Sequence, residues 1–141
     1  MWKRQRRSIN CVFVDQFAGK LINIHPSLLP AFKGLDTHQR AIDAGAKTHG
    51  VSIHLVNAKL DDGPLILQAS LAVDETDTAK GLAGRVLQLE HQIYPFVLFS
   101  LAARTVTLLP DGVVWHAKTL AAAPAAMQTV LAPCVIWPDV S

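Results

Sequence analysis

The sequence lacks several features that would place it in a specialised class of protein. Only two of its 141 residues are cysteine, Cys11 and Cys134, and they lie near opposite ends of the chain. This usage provides no disulfide framework and is typical of a reducing compartment, so we expect a cytoplasmic protein. No apolar run approaches the roughly 20 residues that a membrane-spanning helix needs, so we expect no membrane association.

Charged residues are also scarce, at 17% of the chain, and the formal net charge is only +2. A charge this small does not indicate a nucleic-acid partner. Hydrophobic residues make up 50% of the chain, which argues against disorder and predicts one modest domain with a single core. The sequence contains no glycine-rich loop of the kind that cradles phosphate between a strand and a helix.

The stretch 21–30, LINIHPSLLP, is the most informative part of the chain. Residues 21–24 predict a short strand that enters a loop at Pro26. Successive side chains on a strand point to opposite faces, so Asn23 and His25 share one face. A carboxamide beside an imidazole at a strand end is the layout of an α/β active site.

The rest of the chain predicts helices alternating with strands, with a short helix over residues 13–17 that ends at Gly19. Apolar positions at helical spacing predict a long helix to about residue 103, capped by Asp74 or Thr76 and kinked or interrupted near His91 by Pro95. The other predicted elements are a helix over 38–44 capped by Asp36 or Thr37, strands over 48–56 and 65–73, and a hairpin over 105–109 and 113–116.

The six histidines show no metal-ligand spacing, so the sequence predicts no metal site. The strand over 48–56 alternates in part and is predicted to be half-buried, with His54 on its polar face. His54 is therefore interpreted as a surface residue of the sheet rather than a catalyst. His38 and His49 remain ambiguous between these two roles.

Four motifs occur in a single order along the chain: Asn23 to Pro30, then GLDTH at 34–38, HGVSIH at 49–54 and LDDGP at 60–64. This set resembles the catalytic half of the phosphoribosylglycinamide formyltransferase family over about residues 12–115. The resemblance implies the C-terminal half of a Rossmann-like α/β fold, with a mixed sheet flanked by helices. It divides the chain into a basic lead segment (1–11), a catalytic-half domain (12–116) and an Ala/Pro-rich tail (117–141).

The resemblance also implies the chemistry. Asn23, His25 and Asp61 match the family's catalytic set, in which the carboxamide and imidazole stabilise the formyl oxygen and the aspartate keeps the imidazole charged. Asp62 departs from the family pattern, because that position is often glycine. The implied function is transfer of a formyl group from 10-formyltetrahydrofolate to the amine of glycinamide ribonucleotide, in purine biosynthesis.

The same resemblance implies two binding regions. The folate co-substrate is expected to contact Asn23 and the turn residues Asn57, Ala58, Lys59, Leu60 and Asp61. The amine substrate is expected at Leu87, Gln88, Leu89 and Glu90.

Two alternatives stay open: a formyltetrahydrofolate deformylase, which uses a similar residue set on water, and a non-catalytic fragment that needs a partner chain. The family's phosphate-binding first half has no counterpart here, so we expect impaired activity from a truncated chain. We also expect self-association through an exposed sheet edge.

Overall fold

The computed structural model describes residues 11–116 and 135–136. Its elements are α1 (Cys11–Gln16), β1 (Ile22–His25), α2 (Thr37–Asp43), β2 (Thr48–Leu55), β3 (Leu65–Ala72), α3 (Ala79–Ala102), β4 (Val106–Leu109), β5 (Gly112–Trp115) and β6 (Val135–Ile136). The predicted lead segment and tail lie outside the described residues, apart from Cys11 and β6. Among the described residues, no helix is long and apolar enough to cross a membrane.

The strands form one four-stranded sheet in the order β1-β2-β3-β6 and a separate β4–β5 hairpin. Every strand pair in the described part of the chain is antiparallel. The predicted α/β class is confirmed, as are the β2–β3 pair and the hairpin. Within the described residues, β1 has a partner strand on one side only, so its outer edge carries unpaired backbone groups.

Helix α3 covers one face of the sheet because its apolar residues recur at the spacing of one helical face. The predicted stripe is confirmed, since all five of its members are buried: Leu82, Val86, Leu89, Ile93 and Val97. They pack in one cluster with the inward residues of β2 and β3. The hairpin closes this core through Trp115, which stacks on Phe96 and donates a hydrogen bond to the Ile66 carbonyl.

The structure corrects the predicted cap of α3 and the predicted interruption at Pro95, whereas a kink at Pro95 stays a prediction. The helix is capped by Thr78, whose hydroxyl accepts a hydrogen bond from the Gly81 amide at 3.1 Å, and not by Asp74 or Thr76. The Asp74 carboxylate instead binds Arg85 at 3.2 Å. The helix also continues through Pro95 without interruption, because buried residues on both sides of the proline hold it in the core.

Strand β2 is buried along almost its whole length, so the prediction of a half-buried strand is also wrong. The reason is that the loop after β1 covers its polar face, where Ser52 donates a hydrogen bond to the Ser27 carbonyl at 2.7 Å. Helix α2 begins next to this loop without a side-chain cap at Asp36. The Thr37 hydroxyl, the other predicted cap, binds the Pro26 carbonyl instead.

Candidate active site

The candidate site forms where the end of β1 meets the turn that follows β2. The antiparallel register places Asn23 opposite His54 and His25 opposite Ser52. Asn23 and His25 therefore share one face of β1, as the alternation of strand side chains predicts. The turn over residues 57–64 brings Asp61 to this face from a distant part of the sequence.

Asp61 lies between two histidines. One carboxylate oxygen, Oδ2, is 3.5 Å from His25 Nδ1, and the other, Oδ1, is 3.9 Å from His54 Nε2. Oδ2 also accepts a hydrogen bond of 2.9 Å from the Gly34 amide. Asp61 has a left-handed backbone with φ of +47°, a conformation that aspartate tolerates better than most residues. The predicted approach of Asp61 to His25 is therefore present in the structure.

The His25 ring is only 5% exposed and has an oxygen at each of its nitrogens. Nδ1 faces Asp61, and Nε2 lies 3.1 Å from the Phe32 carbonyl. Oxygen acceptors at both nitrogens suit a ring that carries a proton on each. To donate a hydrogen bond to a substrate oxygen, Nε2 must first give up its contact with the Phe32 carbonyl.

His54 is a buried member of the site, so its interpretation as a surface residue of the sheet is wrong. It is only 3% exposed, and its Nδ1 lies 2.8 Å from the Leu55 carbonyl. That carbonyl can only accept, so the proton sits on Nδ1 and Nε2 is free to accept from the Asn23 amide at 3.4 Å. Burial lowers the pKa of His54, although the Leu55 bond and Asp61 oppose the shift. A neutral His54 therefore orients the Asn23 carboxamide.

A cavity of about 380 Å³ opens beside Asn23, His54 and Asp61. Its remaining walls come from α1, from the start of β1 and from the turn after β2: Phe13, Val14, Leu21, Ile22, Val56, Asn57, Ala58, Lys59 and Leu60. All six residues predicted to contact the co-substrate thus line one space. Most of the residues that line it are apolar, and a few polar side chains are placed among them, as in many small-molecule sites.

A buried hydrogen-bond network fixes the loop that follows His25. The Ser52 hydroxyl accepts from the Leu29 amide at 3.0 Å and from the Gln68 carboxamide at 2.8 Å. Gln68 also donates to the Leu29 carbonyl at 3.1 Å. Because buried polar groups are costly to leave unpaired, this network holds the loop in one position against β2 and β3.

The residues predicted to bind the amine substrate lie elsewhere. Glu90 lines a second cavity of about 250 Å³ together with Ile24, His91, Tyr94 and Pro95. Ile24 points to the opposite face of β1 from Asn23 and His25, so the structure does not bring Glu90 into contact with the catalytic set. Burial raises the pKa of Glu90, an effect that His91 partly offsets.

The prediction that Leu89 contacts the substrate is wrong for its side chain, which is packed in the core. Its spacing along α3 places it on the inward stripe. Leu87 and Gln88 are exposed to solvent and do not line the second cavity. Of the four predicted substrate residues, Glu90 is the one that lines the second cavity.

Comparison with known proteins agrees with this geometry. Residues 6–98 match the sequence profile of the formyl transferase family. The chain belongs to this family. It is 47% identical over 92 residues to the phosphoribosylglycinamide formyltransferase of Escherichia coli, which covers 65% of this chain and 43% of that relative. The chain therefore spans less than half the length of this formyl transferase.

Solved structures confirm the predicted formyltransferase-type fold. The phosphoribosylglycinamide formyltransferase of Anaplasma phagocytophilum matches with a TM-score of 0.72 and 41% identity, over 77% of this chain and 53% of that one. A formyltetrahydrofolate deformylase from Pseudomonas syringae also has a TM-score of 0.72, but its identity is 25%, over 79% of this chain and 37% of that one. The sequence is thus more similar to that of the transferase than to that of the deformylase.

The sequence did not predict that His54 lies in the candidate site. The period of two along β2 does place His54 on the same face as Ser52, which is the polar face of the strand. The register of β1 against β2 was needed to place that face opposite Asn23. Sequence alone does not specify such a register.

Proposed function

We propose that this chain carries the catalytic segment for transfer of a formyl group from 10-formyltetrahydrofolate to the amine of glycinamide ribonucleotide. The main support is that Asn23, His54 and Asp61 line one cavity and that the His25 ring lies directly behind Asp61, with Nδ1 3.5 Å from its carboxylate. The similarity to relatives named phosphoribosylglycinamide formyltransferase supports the choice of substrate. The cysteine usage supports a cytoplasmic location.

The reaction is an acyl transfer in which the amine nitrogen attacks the formyl carbon and the bond to the folate nitrogen breaks. Negative charge grows on the formyl oxygen, and the Asn23 amide is placed to donate a hydrogen bond to it. His54 holds that amide by accepting its other N–H. Such donors act most strongly when they are oriented before the reaction begins.

One proton must leave the attacking nitrogen, and one must reach the folate nitrogen. In our proposal, His25 supplies positive charge near the formyl oxygen and Asp61 balances that charge. Asp61 also relays protons, because its oxygens lie between the His25 and His54 rings. No step requires a covalent bond to the protein.

In this proposal, each of the two cavities holds one of the two substrates. The folate ring occupies the larger cavity against Phe13, Val14 and Leu60, with its polar edge toward Asn57. The amine substrate approaches from the smaller cavity, where the Glu90 carboxylate accepts a hydrogen bond from the neutral amine. The outer edge of β1 lies between them, so the formyl group would be transferred across this strand.

We expect Asp61→Asn to reduce formyl transfer by roughly 10²- to 10⁴-fold, because a neutral amide neither balances a charged His25 nor relays a proton. The measurement is formyl transfer from 10-formyltetrahydrofolate to glycinamide ribonucleotide. Asp111→Asn is the matched control, since it makes the same change in the exposed β4–β5 turn and keeps a residue pair that favours hairpins. This control should retain the wild-type rate.

The assay is run on the chain alone and on the chain mixed with the part of the Escherichia coli relative that it does not match. Absence of transfer in both samples would contradict the proposed function, whereas release of formate without an amine would favour the deformylase reaction. Sedimentation of the same samples tests whether the edge of β1 supports self-association.

We expect Ala58→Trp to weaken binding of a non-transferring folate analogue at least about tenfold, because an indole at the wall of the larger cavity would fill part of it. Calorimetric titration measures the affinity. Ala44→Trp adds the same side chain at an exposed position after α2 and should bind like the wild type. Equal affinity in both variants would show that the analogue binds elsewhere.

A further inference from the structure

We propose that the ion pair between Lys33 and Asp62 is a latch that holds the loop over residues 26–36 against the turn over residues 57–64 and thereby positions Asp61. Lys33 and Asp62 would be positioning residues, since neither lines the larger cavity. The inference deepens the proposed function, because Asp61 is its target. Whether the ion pair holds the loop against the turn can be tested without measuring formyl transfer.

Among the described residues, the turn that carries Asp61 makes hydrogen bonds of its own near its two ends. At the start, the Lys59 amide donates to the Asn57 side chain at 2.9 Å. At the end, the Pro64 carbonyl accepts from the Leu55 amide at 2.9 Å. Between these anchors Leu60 is 72% exposed and Asp62 is also exposed, whereas the Asp61 side chain is only 10% exposed and Gly63 is buried. Contacts from another segment are therefore needed to fix the Asp61 side chain.

The loop after β1 supplies those contacts, and α2 holds this loop in place. The Arg40 guanidinium on α2 donates hydrogen bonds to the Lys33 carbonyl at 2.7 Å and the Leu35 carbonyl at 3.2 Å. Between these two residues, the Gly34 amide donates to Asp61 Oδ2. The Lys33 ammonium reaches across to Asp62 Oδ1. Two neighbouring residues of the loop thus bind two neighbouring residues of the turn.

Charge explains why Lys33 matters to Asp61. Asp61 and Asp62 are adjacent carboxylates, and like charges at short distance repel. The Lys33 ammonium lowers the pKa of Asp62 by a hydrogen bond and by its charge, with a smaller contribution from Lys59. Asp62 is thus ionised and neutralised by Lys33. Without Lys33, an unbalanced Asp62 would repel Asp61 and favour an open loop.

The exchange rate of the Gly34 amide hydrogen reports this latch directly, because that amide is bound to Asp61. We expect Lys33→Met and Asp62→Asn each to speed its exchange by roughly twofold to fivefold, the range that an exposed ion pair supports. The double variant should exchange no faster than the faster single variant, because both remove the same interaction. The Val56 amide, which binds the Leu21 carbonyl at 2.9 Å, should not change.

Reversing the charges makes the test sharper. Lys33→Glu alone should speed Gly34 exchange most, since it places three carboxylates together, and adding Asp62→Lys should restore slow exchange. Unchanged Gly34 exchange in Lys33→Met and Asp62→Asn, or no recovery in the reversed pair, would overturn the latch. If the variants lose Gly34 protection but neither the chain alone nor the mixed sample transfers a formyl group, the proposed function is contradicted and the latch is not.

Discussion

Gly50→Ala is expected to lower the free energy of unfolding by about 3 kcal/mol or more, the upper range for inserting a methyl group into a packed interior. A Cβ atom at Gly50 would lie 2.0 Å from the Ala69 carbonyl oxygen. That oxygen belongs to the backbone of β3, where Ala69 pairs with Val51, so it cannot move without disturbing the strand pairing. Relief of the clash therefore requires β2 and β3 to separate locally.

Urea unfolding followed by circular dichroism measures this effect. Gly84→Ala is the matched control, because a Cβ at Gly84 meets nothing within 4 Å and the residue lies in α3. Alanine in a helix interior is favoured over glycine by up to about 1 kcal/mol, so this control should become more stable. A Gly50→Ala protein that unfolds at the wild-type urea concentration would contradict the close packing of β2 against β3.

Acidification from pH 6.5 to pH 4 is expected to lower the free energy of unfolding by roughly 3 kcal/mol through His49. Burial, with help from the neighbouring His38, lowers the pKa of His49 to about 4. The unfolded chain therefore takes up a proton near pH 6.5, whereas the folded chain resists it until about pH 4. The stabilisation that the neutral His49 ring provides is fully present above pH 6.5 and is lost as the pH falls towards 4.

The groups around His49 account for the direction of this effect. His38 Nδ1 lies 3.1 Å from His49 Nε2, and burial also lowers the pKa of His38. The Phe32 ring packs edge-on against His49, and the charge of His25 further disfavours its protonation. The Pro26 carbonyl opposes the shift in the pKa of His49, but burial and the neighbouring histidines outweigh it.

Unfolding by urea at a series of pH values checks this prediction. His49→Gln removes the titrating ring and should flatten the decline in stability between pH 6.5 and pH 4. His91→Gln, at an exposed position, should keep the wild-type decline. If wild type and His49→Gln lose stability in parallel, the acid sensitivity arises from other groups.

The sequence by itself determined features that depend on local geometry. The period of two along β1 placed Asn23 and His25 on one face, and the helical period placed Leu82 and its partners on the buried side of α3. Both patterns follow from the backbone geometry of a single element, so no distant contact was needed to derive them. The ordered motifs also indicated the formyl transferase family and the residues that line the larger cavity.

Only the tertiary structure decided what depends on contacts between distant segments. His54 became part of the site because the register of β1 against β2 put it opposite Asn23. Glu90 lines a cavity with Ile24, which is on the face of β1 opposite to His25. Lys33 contacts Asp62 because the loop after β1 and the turn after β2 meet beside Asp61. Burial and charge pairing are sums over neighbours that the chain brings together only on folding, and no local periodicity encodes them.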